Sequence, residues 1–478
     1  MTQIGDTDFG LQVGIGFFGK VATAVIGLVG SIILARAVGP AGYGVFYISM
    51  AIAQFCGNTL TGSATAAKKR MTESDFDSGE ALGFVLLSIG AMAVLGGPLA
   101  YLFLEAVTEN PTIPVAVPLL FVTISSYWSL NTLLSGMSNF SLSIWTGTVN
   151  TLAQTVAKLL LVLYGLGVWG MVGGTMAGPL LVLPILMRLI QVRPSLPSRE
   201  TIRSIWEYAQ WSVPNGLLGT ALSRMDTVLL GLLATASAAG KYQVGLQITM
   251  PAVFISGVIG SGLMGRVSNL ASRKREWIDD LWNSVSYGSI LSIPIFFGSL
   301  VLSETLAVTV FGNDYRGAGV FVVGLALYRL FETQIKPFKA VLGGLDRPDL
   351  QFRISLLSFS LNVALGYGLW TVMGATGIVV ATVITAAMTY GLTLWSVRRI
   401  TTVEFVVTKP LLTQIFSASV MASVIYGLKS TVGLSGWEDV VLYLAIGGAI
   451  YGTLELFLSE HLRATALGIW NDFRTMRA

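Results

Sequence analysis

Charged residues are scarce in this sequence. Only 11% of its 478 residues are Asp, Glu, Lys or Arg, whereas 53% are hydrophobic. An average soluble domain has roughly a quarter charged residues, and so few charges cannot cover the surface of a water-soluble protein of this size. The composition therefore excludes a soluble globular protein and predicts a membrane protein that crosses the bilayer many times.

Cysteine and histidine occur only once each. A single cysteine excludes an intrachain disulfide, and one cysteine with one histidine cannot build a zinc site of the Cys/His type. No combination of nucleophile, base and paired carboxylates stands out in the loops. We therefore expect no metal, no cofactor and no enzymatic activity.

Long stretches without any charge are abundant. A helix needs about 20 residues to cross the hydrocarbon core, and seven charge-free stretches are near or above that length, two of them long enough for a helical hairpin. Five further apolar stretches complete a predicted all-α membrane protein of about fourteen transmembrane helices. The charge-free stretches are Ala37–Ala67, Ala81–Leu104, Asn110–Ala157, Tyr242–Gly265, Leu281–Ser303, Ile354–Val397 and Pro410–Leu428. The further stretches are Leu11–Ala35, Gly167–Ile190, Ala209–Leu233, Gly317–Val341 and Val440–Leu458.

Lys and Arg are concentrated in alternate loops. Short cytoplasmic loops carry an excess of these residues, and fourteen spans with a cytoplasmic N-terminus place all six basic clusters on the cytoplasmic side. Residues 1–10 hold two aspartates and no basic residue, which is the wrong charge for a signal peptide. We expect both termini in the cytoplasm. The clusters lie near Lys68–Arg70, Arg188–Arg203, Arg266–Arg275, Lys339–Arg353, Arg398–Lys409 and Arg463–Arg477.

The two halves of the chain share an internal repeat. Ala41-Gly42 matches Ala239-Gly240 at an offset of 198 residues, and Gly167 and Thr175 match Gly374 and Thr382 at 207. Six helices separate corresponding points, so both halves have the same orientation. The repeat predicts two parallel six-helix bundles facing a central cleft. We expect bundles at 1–190 and 208–397, a cytoplasmic linker at 191–207, and a helix hairpin with a tail at 398–478.

Residues Leu34–Gln54, LARAVGPAGYGVFYISMAIAQ, resemble the stretch between the first two helices of the polysaccharide-biosynthesis flippases. These form the O-antigen and oligosaccharide flippase branch of the multidrug/oligosaccharidyl-lipid/polysaccharide exporter superfamily. The segments YAQWSVPNGLLGTALSRMDTVLLG (Tyr208–Gly231), VFGNDYRGAG (Val310–Gly319) and VLGGLDRPDLQ (Val341–Gln351) also resemble this family. The resemblance covers nearly the whole chain.

The resemblance implies a flippase that moves a lipid-linked oligosaccharide or sugar from the cytoplasmic to the outer leaflet by alternating access through a cationic cleft. The expected partners are a polyprenyl phosphate or diphosphate carrier, membrane lipids and glycosyltransferases of the same pathway, but not nucleic acid. A monomer in a bacterial or archaeal plasma membrane suits the family. Two alternatives stay open: a cation-coupled multidrug or small-molecule antiporter, and a membrane glycan polymerase.

Three charges in the first and seventh predicted spans are candidates for this site. A charged side chain at the bilayer centre is costly and usually faces a wet interior. The resemblance therefore assigns Lys20 and Arg224 to phosphate binding, although Lys20 could snorkel to the interface and Arg224 could form a structural ion pair. Asp226 is a candidate proton or sodium site, or a counter-charge for Lys20 or Arg224.

The tenth predicted span carries a row of charges. Arg329, Glu332, Lys336 and Lys339 follow one another at helical spacing and therefore share one face, on which Glu332 can pair with both Arg329 and Lys336. The row either lines the cleft or fills a seam between helices, and the resemblance implies substrate binding by Arg329, Glu332 and Lys336. The fourth span has Phe121 and Trp128 at corresponding positions, where they either stack on a sugar or pack.

Overall fold

The protein is almost entirely helical. A computed structural model describes residues 6–71, 77–137, 140–401, 408–432, 436–459 and 463; the side chains of residues 6–25, 140, 141, 261 and 432 are outside that description. The described residues contain no strand. Helices suit this sequence because hydrocarbon offers no hydrogen-bond partners, and each helix satisfies its own backbone groups.

Sixteen α-helices are found in the described residues. The first seven are α1 (Asp6–Met71), α2 (Ser78–Ala91), α3 (Gly97–Val107), α4 (Thr112–Gly136), α5 (Phe140–Leu161), α6 (Gly167–Leu189) and α7 (Arg199–Leu233). The next five are α8 (Ala236–Thr249), α9 (Phe254–Ser272), α10 (Ile278–Gly288), α11 (Ser292–Phe311) and α12 (Gly319–Gly344). The last four are α13 (Pro348–Met373), α14 (Ala375–Ile400), α15 (Lys409–Val432) and α16 (Trp437–Leu458).

Eleven helical stretches of the described residues are long and apolar enough to cross a membrane. The first of them contains a break, because α1 bends at Gly39 (φ 66°, ψ 174°) ahead of Pro40, which cannot continue the helical hydrogen bonds. The stretch Leu142–Leu189 is likewise broken at Gly165 and Gly167, both at positive φ. Helix α12 is not among the eleven and carries the charged row. The chain is thus a multi-pass membrane protein, and the number fourteen stays a prediction.

Contacts divide the chain into two compact units, Met1–Thr220 and Ala221–Ala478, with the boundary inside α7. In the first unit α4 is the central helix, packing on α1, α3, α5 and α6. Its core includes Tyr127, Leu130 and Leu134, together with Ile205 from the start of α7. The first part of α7 therefore belongs to this unit through its packing.

In the second unit the central helix is α12, which contacts six other helices: α8, α9, α10, α11, α13 and α14. Its buried face includes Phe338, Val341 and Leu342, which share a core with residues of α9, α10 and α13. Helices α15 and α16 pack on each other and on α11. The charged row of α12 is therefore carried by the helix with the most neighbours in its unit.

The hairpins α5–α6 and α13–α14 have the same local geometry. Gly167 (φ 51°, ψ −128°) and Gly374 (φ 63°, ψ −143°) turn the chain in the same way, in a region of φ that favours glycine. Three residues later, Gly170 and Gly377 each lie so close to the preceding helix that a Cβ would overlap its backbone. These positions are 207 residues apart, the offset of the sequence repeat.

Candidate functional site

Three charges of α12 form one ion-pair chain. Arg329 Nη1 donates a hydrogen bond to Glu332 Oε2 at 2.6 Å, and Lys336 Nζ lies 3.2 Å from Glu332 Oε1. The pairing that the spacing predicts is therefore confirmed. The side chains are 16%, 23% and 31% exposed in chain order, so that the row becomes more open from Arg329 to Lys336. One carboxylate holds two cations, which leaves the group with a net positive charge.

Arg329 is the least exposed member of this chain. Its Nε atom is buried and has no hydrogen-bond partner, while its guanidinium lies 5.5 Å from the ring centroid of Tyr328, within the range of a cation–π contact. A guanidinium has five N–H donors in a fixed plane, suited to carboxylate or phosphate oxygens. Arg329 therefore has donor capacity that Glu332 does not use up.

The open end of the row lines a cavity of about 460 Å³ between α9, α12 and the start of α13. We call it the lysine cavity, because Lys336 and Lys339 both line it. Helix α9 contributes Gly257 and Gly260 to its wall, and the absence of side chains at these two positions leaves room beside Lys336. The other lining residues are Ser256, Met264, Ala340, Gly343, Asp346, Pro348 and Gln351.

The lining of the lysine cavity suits an anionic group. Two lysines face one carboxylate, that of Asp346, and Ser256 and Gln351 add neutral polar groups. Gln351 Nε2 donates to the carbonyl oxygen of Lys339 at 2.7 Å, which ties the start of α13 to α12. An ammonium carries three donors and no acceptor, so the lysines can bind phosphate oxygens.

A second polar group surrounds Asp226 on α7. The Tyr242 hydroxyl donates to Asp226 Oδ2 at 2.7 Å, and Thr382 Oγ1 donates to the same oxygen at 2.9 Å. Helices α8 and α14 thus converge on this carboxylate, and both donors are neutral. None of the salt bridges within the described part of the chain involves Asp226. The choice between ion site and counter-charge stays open.

Of the other predicted site residues whose side chains the structure describes, none lines the lysine cavity: Arg224, Asp226, Arg329 and Glu332. The side chain of Lys20 lies outside the described residues, and Arg224 is half-buried on α7, two residues before Asp226. In the fourth span, Phe121 is 2% exposed and is a core residue, whereas Trp128 is 50% exposed.

Several contributors to these groups are not predicted from the sequence, among them Tyr242, Ser256 and Gln351. Thr382 enters the sequence analysis only as the repeat match of Thr175, and that match is the one available signal for its position. The small wall of α9 is not predicted either, although a signal for it exists: α9 has four glycines in nineteen residues, more than most of the other helices.

Comparison with known proteins identifies relatives over most of the chain. A family model described as "Polysaccharide biosynthesis protein" matches residues 33–319, more than half of the chain. The "Probable low-salt glycan biosynthesis flippase Agl15" of Haloferax volcanii is 27% identical over 64% of this chain and 65% of its own length, slightly less than two thirds. The "Probable flippase AglR" of the same organism is 25% identical over 94% of this chain and 95% of its own.

The fold is that of a known transporter structure. The structure titled "Lipid II flippase MurJ, inward closed conformation" matches with a TM-score of 0.79 at 14% sequence identity. The match covers 93% of this chain and 98% of that one. It confirms the predicted class, an all-α membrane protein, for nearly the whole chain.

Proposed function

Because the chain belongs to the family of polysaccharide biosynthesis proteins, we propose that it is a flippase for a lipid-linked oligosaccharide or lipid-linked sugar. Two relatives named as probable flippases, one of them of glycan biosynthesis, support this function. The cargo moves from the cytoplasmic to the outer leaflet by alternating access. There it supplies the assembly of a cell-surface polysaccharide or of a glycoprotein glycan.

The observation that carries this proposal is the lysine cavity beside the ion-pair chain of α12. A lipid-linked glycan has an anionic phosphate or diphosphate and a polar glycan, and neither crosses hydrocarbon unaided. Ionisable side chains within a membrane are costly and usually mark a substrate or ion pathway. Lys336 and Lys339 border an open space in which a phosphate group fits.

Each charged residue has a separate role in this proposal. Lys336 binds phosphate oxygens, and Arg329, which does not line the lysine cavity, is assigned to substrate binding on the family resemblance. Glu332 holds these two cations in place, and its negative charge lowers the cost of keeping them in the membrane. We also assign Lys20 and Arg224 to phosphate binding, on the family resemblance. Asp226 serves as an ion site or as a counter-charge.

The position of the protein in the cell is part of the proposal. Both termini lie in the cytoplasm of a bacterial or archaeal plasma membrane, supported by the six basic clusters. The chain is a monomer of two six-helix bundles, at 1–190 and 208–397, with a linker at 191–207 and an added hairpin and tail at 398–478. Glycosyltransferases of the same pathway deliver the cargo.

A cation-coupled small-molecule antiporter is the alternative, and the Asp226 group is the observation that favours it. A carboxylate held by neutral hydroxyls can bind a proton or a metal cation. The charge of α12 argues against a cationic drug as the cargo, since three cations there accompany one carboxylate. A transporter is also better supported than a membrane glycan polymerase, because both relatives are named as probable flippases.

Glycan export by cells that lack the native gene tests the proposal. Lys336→Met removes the charge but keeps the apolar stem, and we expect about a tenfold loss of export, the size of one charge-assisted hydrogen bond. Lys158→Met is the matched control, because Lys158 is a helical lysine of α5 that lines neither the lysine cavity nor the Asp226 group. Wild-type export by both Lys336→Met and Arg329→Met, at equal protein levels, would contradict the phosphate site.

A further inference from the structure

The first unit contains a cavity of its own, of about 520 Å³, between the second part of α1 and the first part of α7. We call it the α1–α7 cavity. Both helices present a face with residues at i, i+3, i+4 and i+7, which is the spacing of one side of a helix. The lining residues are Asn58, Thr61, Gly62 and Thr65 on α1, and Tyr208, Trp211, Ser212, Asn215 and Gly216 on α7.

Hydrogen bonds and close packing hold the two walls together. Asn58 Nδ2 donates to the carbonyl oxygen of Gly216 and to the hydroxyl of Thr220. Ser212 Oγ donates to the carbonyl oxygen of Gly62 at 3.2 Å. A Cβ on Gly62 would lie 3.1 Å from the Cα atom of Val213, so glycine lets the two helices approach closely here. The cavity therefore has walls in fixed positions.

None of the nine residues that line the α1–α7 cavity is charged. Asparagine, serine and threonine supply both donors and acceptors, while Trp211 and Tyr208 supply aromatic faces. Trp211 is 76% exposed and Tyr208 38% exposed, so both rings are accessible to a ligand. Without a cation, the cavity is poorly suited to phosphate, and its amides and hydroxyls are poorly suited to an acyl chain.

A neutral saccharide has the complementary chemistry. One face of a pyranose ring is a patch of C–H groups that packs on an aromatic ring, and its edge carries hydroxyls that donate and accept hydrogen bonds. Pockets of this kind combine apolar contact with a few polar groups that fix the orientation of the ligand. The α1–α7 cavity offers both within one space.

We propose that the α1–α7 cavity binds an uncharged sugar residue of the cargo, with Trp211 as the stacking surface and Asn215 as a hydrogen-bonding partner. This assignment rests on the proposed function, because it takes the cargo to be a lipid-linked glycan. It adds a site that distinguishes a glycosylated lipid from the bare lipid phosphate, a distinction that the lysine cavity cannot make.

Binding of lipids to the purified full chain tests the assignment. The probe is the polyprenyl phosphate fraction extracted from the source cells, which contains species with and without sugar, and bound species are identified by native mass spectrometry. We expect the wild type to enrich the glycosylated species over the bare ones. Trp211→Ala and Asn215→Ala should each reduce that enrichment about fivefold, the size of one aromatic or polar contact.

Trp206→Ala is the matched control, because Trp206 is 66% exposed on the same helix but does not line the cavity. It should keep the full enrichment, and Lys336→Met should lower the binding of all species while keeping their ratio. Unchanged enrichment in Trp211→Ala and Asn215→Ala would overturn the sugar site and leave the proposed function standing. A wild type that binds neither kind of lipid phosphate would contradict both.

Discussion

A single carboxylate, that of Glu332, compensates two positive charges of α12. Glu332 is the common partner of Arg329 and Lys336, at 2.6 and 3.2 Å. Removing one partner of a fully buried pair costs about 3–5 kcal/mol because an uncompensated charge is left behind. Partial exposure reduces this cost, since water screens the remaining charges. The exposed fractions along the row therefore predict that loss of Glu332 lowers stability by less than in a fully buried pair and by more than in a surface pair.

We expect Glu332→Gln to fold, but with a free energy of unfolding lowered by about 1–3 kcal/mol, less than for a buried pair. The amide keeps the shape of the side chain while leaving two cations without their counter-charge. Thermal unfolding of the purified protein measures the change. Asp349→Asn is the control: its partner Arg347 is 39% exposed and Asp349 is 47% exposed, so its Tm should hardly change. Equal Tm values for both variants would contradict the shared role of Glu332.

Asp226 raises a different question, because its observed partners are neutral. Asp226→Asn retains an oxygen that can accept from Tyr242 and Thr382, so we expect the fold to survive while export falls at least about tenfold, as for loss of a charged hydrogen-bond partner. If Asp226 only balanced Arg224, the double variant Asp226→Asn/Arg224→Gln would export no less than Arg224→Gln alone. We expect the double variant to export less, since two hydroxyls from other helices hold the carboxylate. Equal export by the double variant and by Arg224→Gln would assign Asp226 as a counter-charge.

At the scale of helices, close glycine contacts define the hairpins. A Cβ at Gly377 would lie 2.2 Å from the carbonyl oxygen of Leu369, across the α13–α14 turn. Backbone cannot move aside as a flexible side chain can. Gly391, on the same helix, has no neighbouring atom within 4 Å of its Cβ position. Substitution of Gly377 therefore tests close packing in the hairpin, whereas substitution of Gly391 tests only the general effect of glycine on helix stability.

Gly377→Ala should lower the free energy of unfolding by about 1–3 kcal/mol, because the methyl group forces the hairpin apart. Gly391→Ala should leave stability unchanged or raise it by about 0.5–1 kcal/mol, because alanine is the better helix former. Thermal unfolding of both variants in one detergent provides the comparison. A Gly377→Ala protein as stable as its Gly391→Ala control would show that the hairpin tolerates the methyl group.

Local patterns predicted the helices well and the sites only in part. The α12 ion pairs follow from positions three and four apart, which helical geometry brings together whatever the rest of the fold does. The Asp226–Thr382 bond joins residues 156 positions apart, and Asn58 meets Gly216 across 158. The periodicity of a sequence does not predict contacts between residues so far apart. The α1–α7 cavity was missed for a further reason: its uncharged polar side chains do not interrupt an apolar span.

At the scale of the whole molecule, the distribution of charge predicts the orientation in the membrane. Lys and Arg concentrate in alternate connecting segments, while the loops and helix ends between these segments carry Glu105, Glu109, Glu304 and Asp314. Basic loops stay in the cytoplasm during insertion. An acidic segment with Asp314 precedes α12, and the basic cluster Lys339–Arg353 lies at its C-terminal end. The orientation therefore also decides from which side of the membrane a ligand reaches Lys339.

Thiol labelling tests this orientation in a Cys56→Ser background, which removes the only native cysteine. We expect Arg199→Cys and Arg273→Cys to react with a membrane-impermeant reagent only after the cytoplasmic face is opened, because both belong to basic clusters that are predicted to be cytoplasmic. Glu109→Cys and Asp314→Cys should react in intact cells. All four positions are exposed, so access to solvent does not differ between the pairs. Labelling of Arg199→Cys from outside would invert the orientation, and would place Lys339 and the lysine cavity nearer the outer leaflet, where a flippase releases its cargo.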